Sequence, residues 1–90
     1  MSKAKEFLNL FEKSEIPYWE PEWTKIEGQD VLQIKGSEFF AIPADGKKSA
    51  KKFVISNKAR EEVAHLDKKE VRQWLIDAAR RDGVKPTATL

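Results

Sequence analysis

Six cations and no acid fall between Lys47 and Arg60: Lys47, Lys48, Lys51, Lys52, Lys58 and Arg60. Ammonium and guanidinium groups at that density do one kind of chemistry, the binding of anions, and phosphate is the anion they suit best. A second set follows further along. At 100° per residue, Lys69, Arg72, Gln73, Ile76 and Arg80 fall within about one 100° sector of a helix. Arg, Lys and Gln are the donors that meet phosphates and base edges, and a major groove admits a helix. The competing reading is an ordinary solvated face. Lys68 and Lys69 argue against it, because they occupy the first helical turn, where the macrodipole disfavours cations by roughly 0.3–1 kcal/mol each. Arg80 and Arg81 sit at the opposite end, where the dipole favours them. The lysine loop has its own bland reading, a solubilising loop that guards an edge strand.

The charge is split along the chain. Residues 1–45 hold five lysines against nine carboxylates, or −4, and residues 46–90 hold twelve basic side chains against six acidic ones, or +6; together these make the net +2. The acidic half also carries Tyr18, Trp19 and Trp23 beside Glu20 and Glu22. These aromatics could stack on single-stranded bases, but the neighbouring carboxylates would repel phosphates. Core packing fits them better, and an aromatic patch with a charged rim, able to meet a protein partner, is the alternative.

Catalytic chemistry finds little footing. The chain has no cysteine, and His65 is its one histidine, so neither a relayed nucleophile nor a His-cluster metal site can be assembled. Gln33-Ile34-Lys35, with Asp30 upstream, resembles the (Asp/Glu)-x-Lys strand of metal-dependent nucleases. Glutamine stands where that pattern needs a metal-binding carboxylate, so at most a nuclease remnant is implied. No glycine-rich phosphate loop is present. The expectation is a non-enzyme with no cofactor and no metal.

The elements that would position these groups can be read from pattern. Ala4, Phe7, Leu8 and Phe11 predict a helix over residues 3–14, closed by Pro17. Residues 18–23 read as an aromatic connector, since Pro21 bars a central helix or strand. Thr24–Glu27, Val31–Lys35 and Glu38–Ile42 read as short strands, with Phe53-Val54-Ile55 as one more. Gly36-Ser37 as a two-residue hairpin loop sets Lys35 opposite Glu38 and puts Leu32, Ile34, Phe39 and Ala41 on one face. Pro43 to Gly46 reads as a turn. Residues 57–83 read as two helices. The first is lined by Ala59, Val63 and Leu66; the second is capped by Asp67 and Glu70, buries Val71, Trp74, Leu75, Ala78 and Ala79, and stops at Gly83.

The expected fold is therefore α+β: an N-terminal helix, a three- to four-stranded antiparallel meander and two C-terminal helices packed on the sheet. Ninety residues make one domain, taken as residues 1–85, with 86–90 as a flexible tail. The opening residues lead into no signal-peptide pattern and no apolar run nears the ~20 residues of a membrane span, so the expected setting is cytoplasmic and away from membranes. Charged residues make up 36% of the chain, yet its apolar content is too high for disorder. The leading function is non-catalytic nucleic-acid binding through Lys47, Lys48, Lys51, Lys52, Lys58, Lys68, Lys69, Arg72, Gln73 and Arg80. The alternative is a protein-interaction module built on Tyr18, Trp19, Glu20, Glu22 and Trp23, such as a small regulatory or inhibitory accessory protein of the phage or bacterial kind.

Overall fold

The computed structural model describes residues 16–89, so the helix expected over residues 3–14 lies outside the described residues. In chain order the elements are β1 (Pro17–Tyr18), β2 (Glu22–Ile26), β3 (Gln29–Gln33), β4 (Phe40–Pro43), β5 (Lys52–Ser56), β6 (Glu62–Asp67), α1 (Lys68–Arg81) and β7 (Ala88–Thr89). β2 to β6 form one antiparallel meander with neighbours in sequence as neighbours in space, and β1 pairs with β7 in a separate two-stranded ribbon. Among the described residues there is one helix, and none is long and apolar enough to cross a membrane.

The turns explain the meander. Glu27 (φ 52°) and Gly28 (φ 80°) form the two-residue loop between β2 and β3, both in the left-handed region that a type I′ turn demands. Between β3 and β4 the Ser37 N–H donates to the Ile34 carbonyl at 2.9 Å, which places Gly36 (φ 92°) at the second central position of the turn. The ladder register is the one expected from sequence, Leu32 facing Ala41 and Gln33 facing Phe40, but the pairing stops there: the turn centres on Lys35-Gly36 instead of Gly36-Ser37, so Lys35 and Glu38 are not ladder partners. Pro43 to Gly46 turns as expected, with Gly46 N–H donating to Pro43 O at 3.1 Å.

Residues 57–67 overturn the two-helix expectation. Asn57 organises a hairpin loop instead of a helix. Its side-chain oxygen accepts from the N–H of Ala59 and of Glu61, both at 3.0 Å, and its carbonyl accepts from Arg60 N–H at 2.9 Å. Arg60 takes up the left-handed conformation (φ 65°). That is a type I turn closed by a left-handed residue, a standard three-residue hairpin connection. β6 then returns along β5 with a bulge at Ile55/Ser56. The apolar spacing of Ala59, Val63 and Leu66 is thus not a helical stripe: Leu66 and Ala64 face inward at strand period, and Val63 is 45% exposed. Among the described residues the fold is one helix on a five-stranded meander with a two-stranded ribbon beside it.

The core lies on one sheet face. Trp23, Leu32, Ala41, Ile55 and Ala64 stand opposite one another across all five strands and so share that face. α1 covers it with Val71, Leu75, Ala78 and Ala79, which pack with Ile34, Phe39, Phe53 and Ile55. Phe39 meets Trp74 edge to face at 5.2 Å. Each fully buried aliphatic side chain here contributes about 1.5–3 kcal/mol. Val31 and Phe40 are buried on the opposite face, where the Arg60 guanidinium lies 5.8 Å from the Phe40 ring and pairs with Glu27 at 2.8 Å.

α1 starts and stops where sequence places it. Asp67 is the N-cap residue and its N–H is taken by the Glu70 carboxylate at 3.1 Å. At the far end Val84 N–H donates to Ala79 O at 2.9 Å and Gly83 N–H to Arg80 O at 3.2 Å, the two bonds of a Schellman motif with Gly83 (φ 73°) at C′. The chain after Val84 continues into β7, where Tyr18 opposes Ala88 and Tyr18 O accepts from Thr87 N–H at 3.0 Å.

Gly36 couples the β3–β4 turn to this helix end, since a Cβ there would stand 3.3 Å from Val84 Cγ1. Gly36→Ala should cost about 1–3 kcal/mol in a denaturant titration, because an L side chain must adopt the left-handed conformation and also displace Val84.

Candidate anion-binding site

The lysine loop is held in place rather than loose. Lys47 N–H donates to Asp45 Oδ1 and Ala50 N–H to Lys47 O, both at 2.9 Å, and Ala44 N–H donates to Lys52 O at 2.9 Å. Ala50 is buried among the core residues and anchors the middle of the loop. The chain then enters β5, and its start runs directly against the start of α1, where Lys68 N–H donates to Lys51 O at 2.8 Å.

That single backbone bond brings two separate lysine pairs together. Lys51, Lys52, Lys68, Lys69 and Arg72, with Asp67, line one open cleft of about 720 Å³. Five cations and one carboxylate share it. Lys52 Nζ pairs with Asp67 Oδ1 across the β5–β6 ladder, in which the two residues are register partners. Arg72 Nη2 holds Glu20 Oε2 at 2.9 Å. Among the described residues, Lys51, Lys68 and Lys69 have no acidic side chain within ion-pair distance. Like charges that line one cleft disfavour one another, and a bound anion offsets that.

The other residues marked by sequence go elsewhere. Lys47 and Lys48 are exposed on the loop that precedes Lys51, outside the cleft lining, and Lys48 Nζ sits 5.6 Å from the centre of the Trp23 ring. Lys58 lies in the β5–β6 loop, beyond the far end of β5, so at least about 13 Å of strand separates it from Lys52. Gln73 Nε2 donates to Asp77 Oδ1 at 2.8 Å, and the Arg80 guanidinium stacks 5.8 Å from the centre of the Trp19 ring. Ile76 is half-buried against the core. The sector of α1 expected to be one open face is thus partly crossed by the connector through Trp19 and Glu20.

The aromatic residues are likewise drawn into the fold. Trp19 donates its indole N–H to Val84 O at 2.7 Å, and Trp23 lies 6.2 Å from Phe53; both pack against the core. Tyr18 is half-buried in β1, and Glu22 is exposed at the start of β2. Of the nuclease-like residues, Asp30 pairs with Lys25 at 3.5 Å and Gln33 Nε2 donates to Ser37 O at 3.1 Å. Lys35 is exposed in the β3–β4 turn.

Two pairings here were missed by sequence reading. Glu20–Arg72 spans 52 positions and has no local signal. Lys52–Asp67 did have one: the turn chemistry of Asn57 to Arg60 implies the β5–β6 hairpin that makes the two neighbours.

The Lys52–Asp67 pair is felt in both titrations. The hydrogen bond from Lys52, then its charge, holds the Asp67 carboxyl below the usual aspartate value, and the reciprocal bond, then the Asp67 charge, holds Lys52 above the usual lysine value. A depressed carboxyl contributes stability above its unfolded value that is lost as pH falls through the folded one; a raised ammonium loses its contribution as pH rises through its folded value. The stability gap between wild type and Asp67→Asn, which retains N-cap capacity, should be constant from roughly pH 5 to 9 and shrink below about pH 4 and above about pH 10. Denaturant titrations across pH would measure it.

Neither a family model, a curated protein nor a solved structure matches this chain.

Proposed function

We propose that the protein binds the phosphate backbone of nucleic acid in the cleft between β5 and the first turn of α1. The observation that carries this is the convergence of Lys51, Lys52, Lys68, Lys69 and Arg72 on one concave surface with a single lining carboxylate. The two N-terminal lysines of α1, unfavourable against the helix dipole, acquire a purpose there.

The arrangement supports backbone contact rather than base readout. Gln73 is engaged by Asp77, Arg72 by Glu20, and Arg80 by Trp19, so α1 does not present a free row of donors to a groove. Contacts of this kind position a polynucleotide without reading its sequence. The working set is therefore Lys51, Lys52, Lys68, Lys69 and Arg72, flanked by Lys47 and Lys48, and it excludes Lys58.

Among the described residues, three of the cations lining the cleft lack an acidic side chain within ion-pair distance, which implies about three phosphates neutralised and a slope of log affinity against log salt of about −2.1 for a single strand and −2.7 for a duplex. Fluorescence anisotropy of a short oligonucleotide should then show an affinity loss of about 20- to 40-fold from 50 to 200 mM salt. Lys51→Glu with Lys69→Glu should weaken binding equally for all sequences, and Gln73→Ala should leave sequence preference unchanged. Salt-insensitive binding, or none at about 50 mM salt, would refute the proposal.

A further inference from the structure

Among the described residues, Glu20 is the acidic residue of the first half of the chain that pairs with a residue lining this cleft, although it does not line the cleft itself. Its carboxylate sits 2.9 Å from Arg72 Nη2, and Arg72 is a wall of the cleft. A carboxylate oxygen on a guanidinium occupies the position a phosphate oxygen takes, because the same planar donor fork serves both anions. We propose that Glu20 is a built-in competitor for the phosphate seat on Arg72, holding the cleft below its full affinity. This rests on the phosphate-binding reading above.

Glu20 is delivered by fixed backbone, not by a wandering tail. Its own N–H donates to Thr87 Oγ1 at 2.9 Å, and Tyr18 O accepts from Thr87 N–H at 3.0 Å. Trp19, next to it, is tied to Val84 O at 2.7 Å and lies under Arg80. The β1–β7 ribbon thus clasps the connector against α1. The carboxylate tip alone is unconstrained by this clasp, and both partners of the ion pair are about half exposed, 55% for Arg72 and 41% for Glu20. An exposed pair of this kind is weak enough for a ligand to displace. Once displaced, the carboxylate remains beside the bound phosphate and repels it. The acid-rich first half of the chain therefore acts on the basic half at this point.

The alternative is that Glu20 orients Arg72 for the ligand, and the two readings differ in sign. Under competition, Glu20→Gln should bind a short single-stranded oligonucleotide about two- to fivefold more tightly than wild type. Its salt slope should also steepen by about 0.7, one more phosphate neutralised. In an Arg72→Ala background the same substitution should give little gain. Should Glu20→Gln loosen the ribbon, Glu20→Asp, whose shorter side chain withdraws the carboxylate from Arg72, should shift affinity in the same direction, and thermal unfolding monitors the clasp. Unchanged or weaker binding by both variants, with wild-type binding intact, overturns the competitor alone. Absence of binding by wild type and variants together overturns the phosphate-binding reading, and the competitor with it.

Discussion

At Asp67 the last rung of a β-ladder becomes the first turn of a helix without any loop between them. Lys68 N–H still donates across to Lys51 O, as a strand residue would, while the Asp67 N–H is already capped by Glu70. The helix axis is therefore set by the sheet, and Val71, Leu75, Ala78 and Ala79 are laid onto the face that carries Ile34, Phe39, Phe53 and Ile55. The same junction forces the entry to β5 and the first turn of α1 to share one surface. A loop of even a few residues at this point would let the two lysine pairs separate, and there would be no cleft.

The opposition between an acidic first half and a basic second half, conspicuous along the chain, is partly spent inside the fold. Glu20 pairs with Arg72, Glu27 with Arg60, and the Trp23 ring lies beneath Lys48. Two of these contacts bind the ends of the meander or the ribbon to the basic elements, so the charge split also works as a weak folding constraint. Each exposed pair stabilises little by itself. Their positions matter more, because they decide which cations are left for a ligand. Of the cations that line the cleft, Lys51, Lys68 and Lys69 have no acidic side chain within ion-pair distance among the described residues.

Much of the local structure was legible. Gly36-Ser37, with apolar residues alternating on either side, was enough for the β3–β4 register, since a one-residue slip would turn Ile34 and Phe39 out of the core. Asp67, Glu70 and Gly83 marked both ends of α1 because caps act within a few residues. Residues 57–67 were misread because Ala59, Val63 and Leu66 fit a helical spacing while the alternation that makes β6 a strand is short. Pairing with β5 overrode the local preference, and the decisive cue, the side chain of Asn57 folding back on its own loop, is turn chemistry rather than periodicity. The candidate site was legible only in part. The lysine pairs stood out by type, and the structure brings Lys51, Lys52, Lys68 and Lys69 to one cleft, whereas Lys58, Gln73 and Arg80 do not line it.

Sequence alone determined the identity and ends of α1, the register of the central hairpin, and the concentration of cations in the second half of the chain. These follow from interactions between near neighbours: capping bonds, glycine turns and the period of the apolar positions. Tertiary structure alone decided that Glu62–Asp67 is a strand, that Lys51 and Lys68 meet, and that Glu20 reaches Arg72. Those contacts join residues far apart in the chain, and their partners are chosen by which faces the core buries, a choice no local pattern carries.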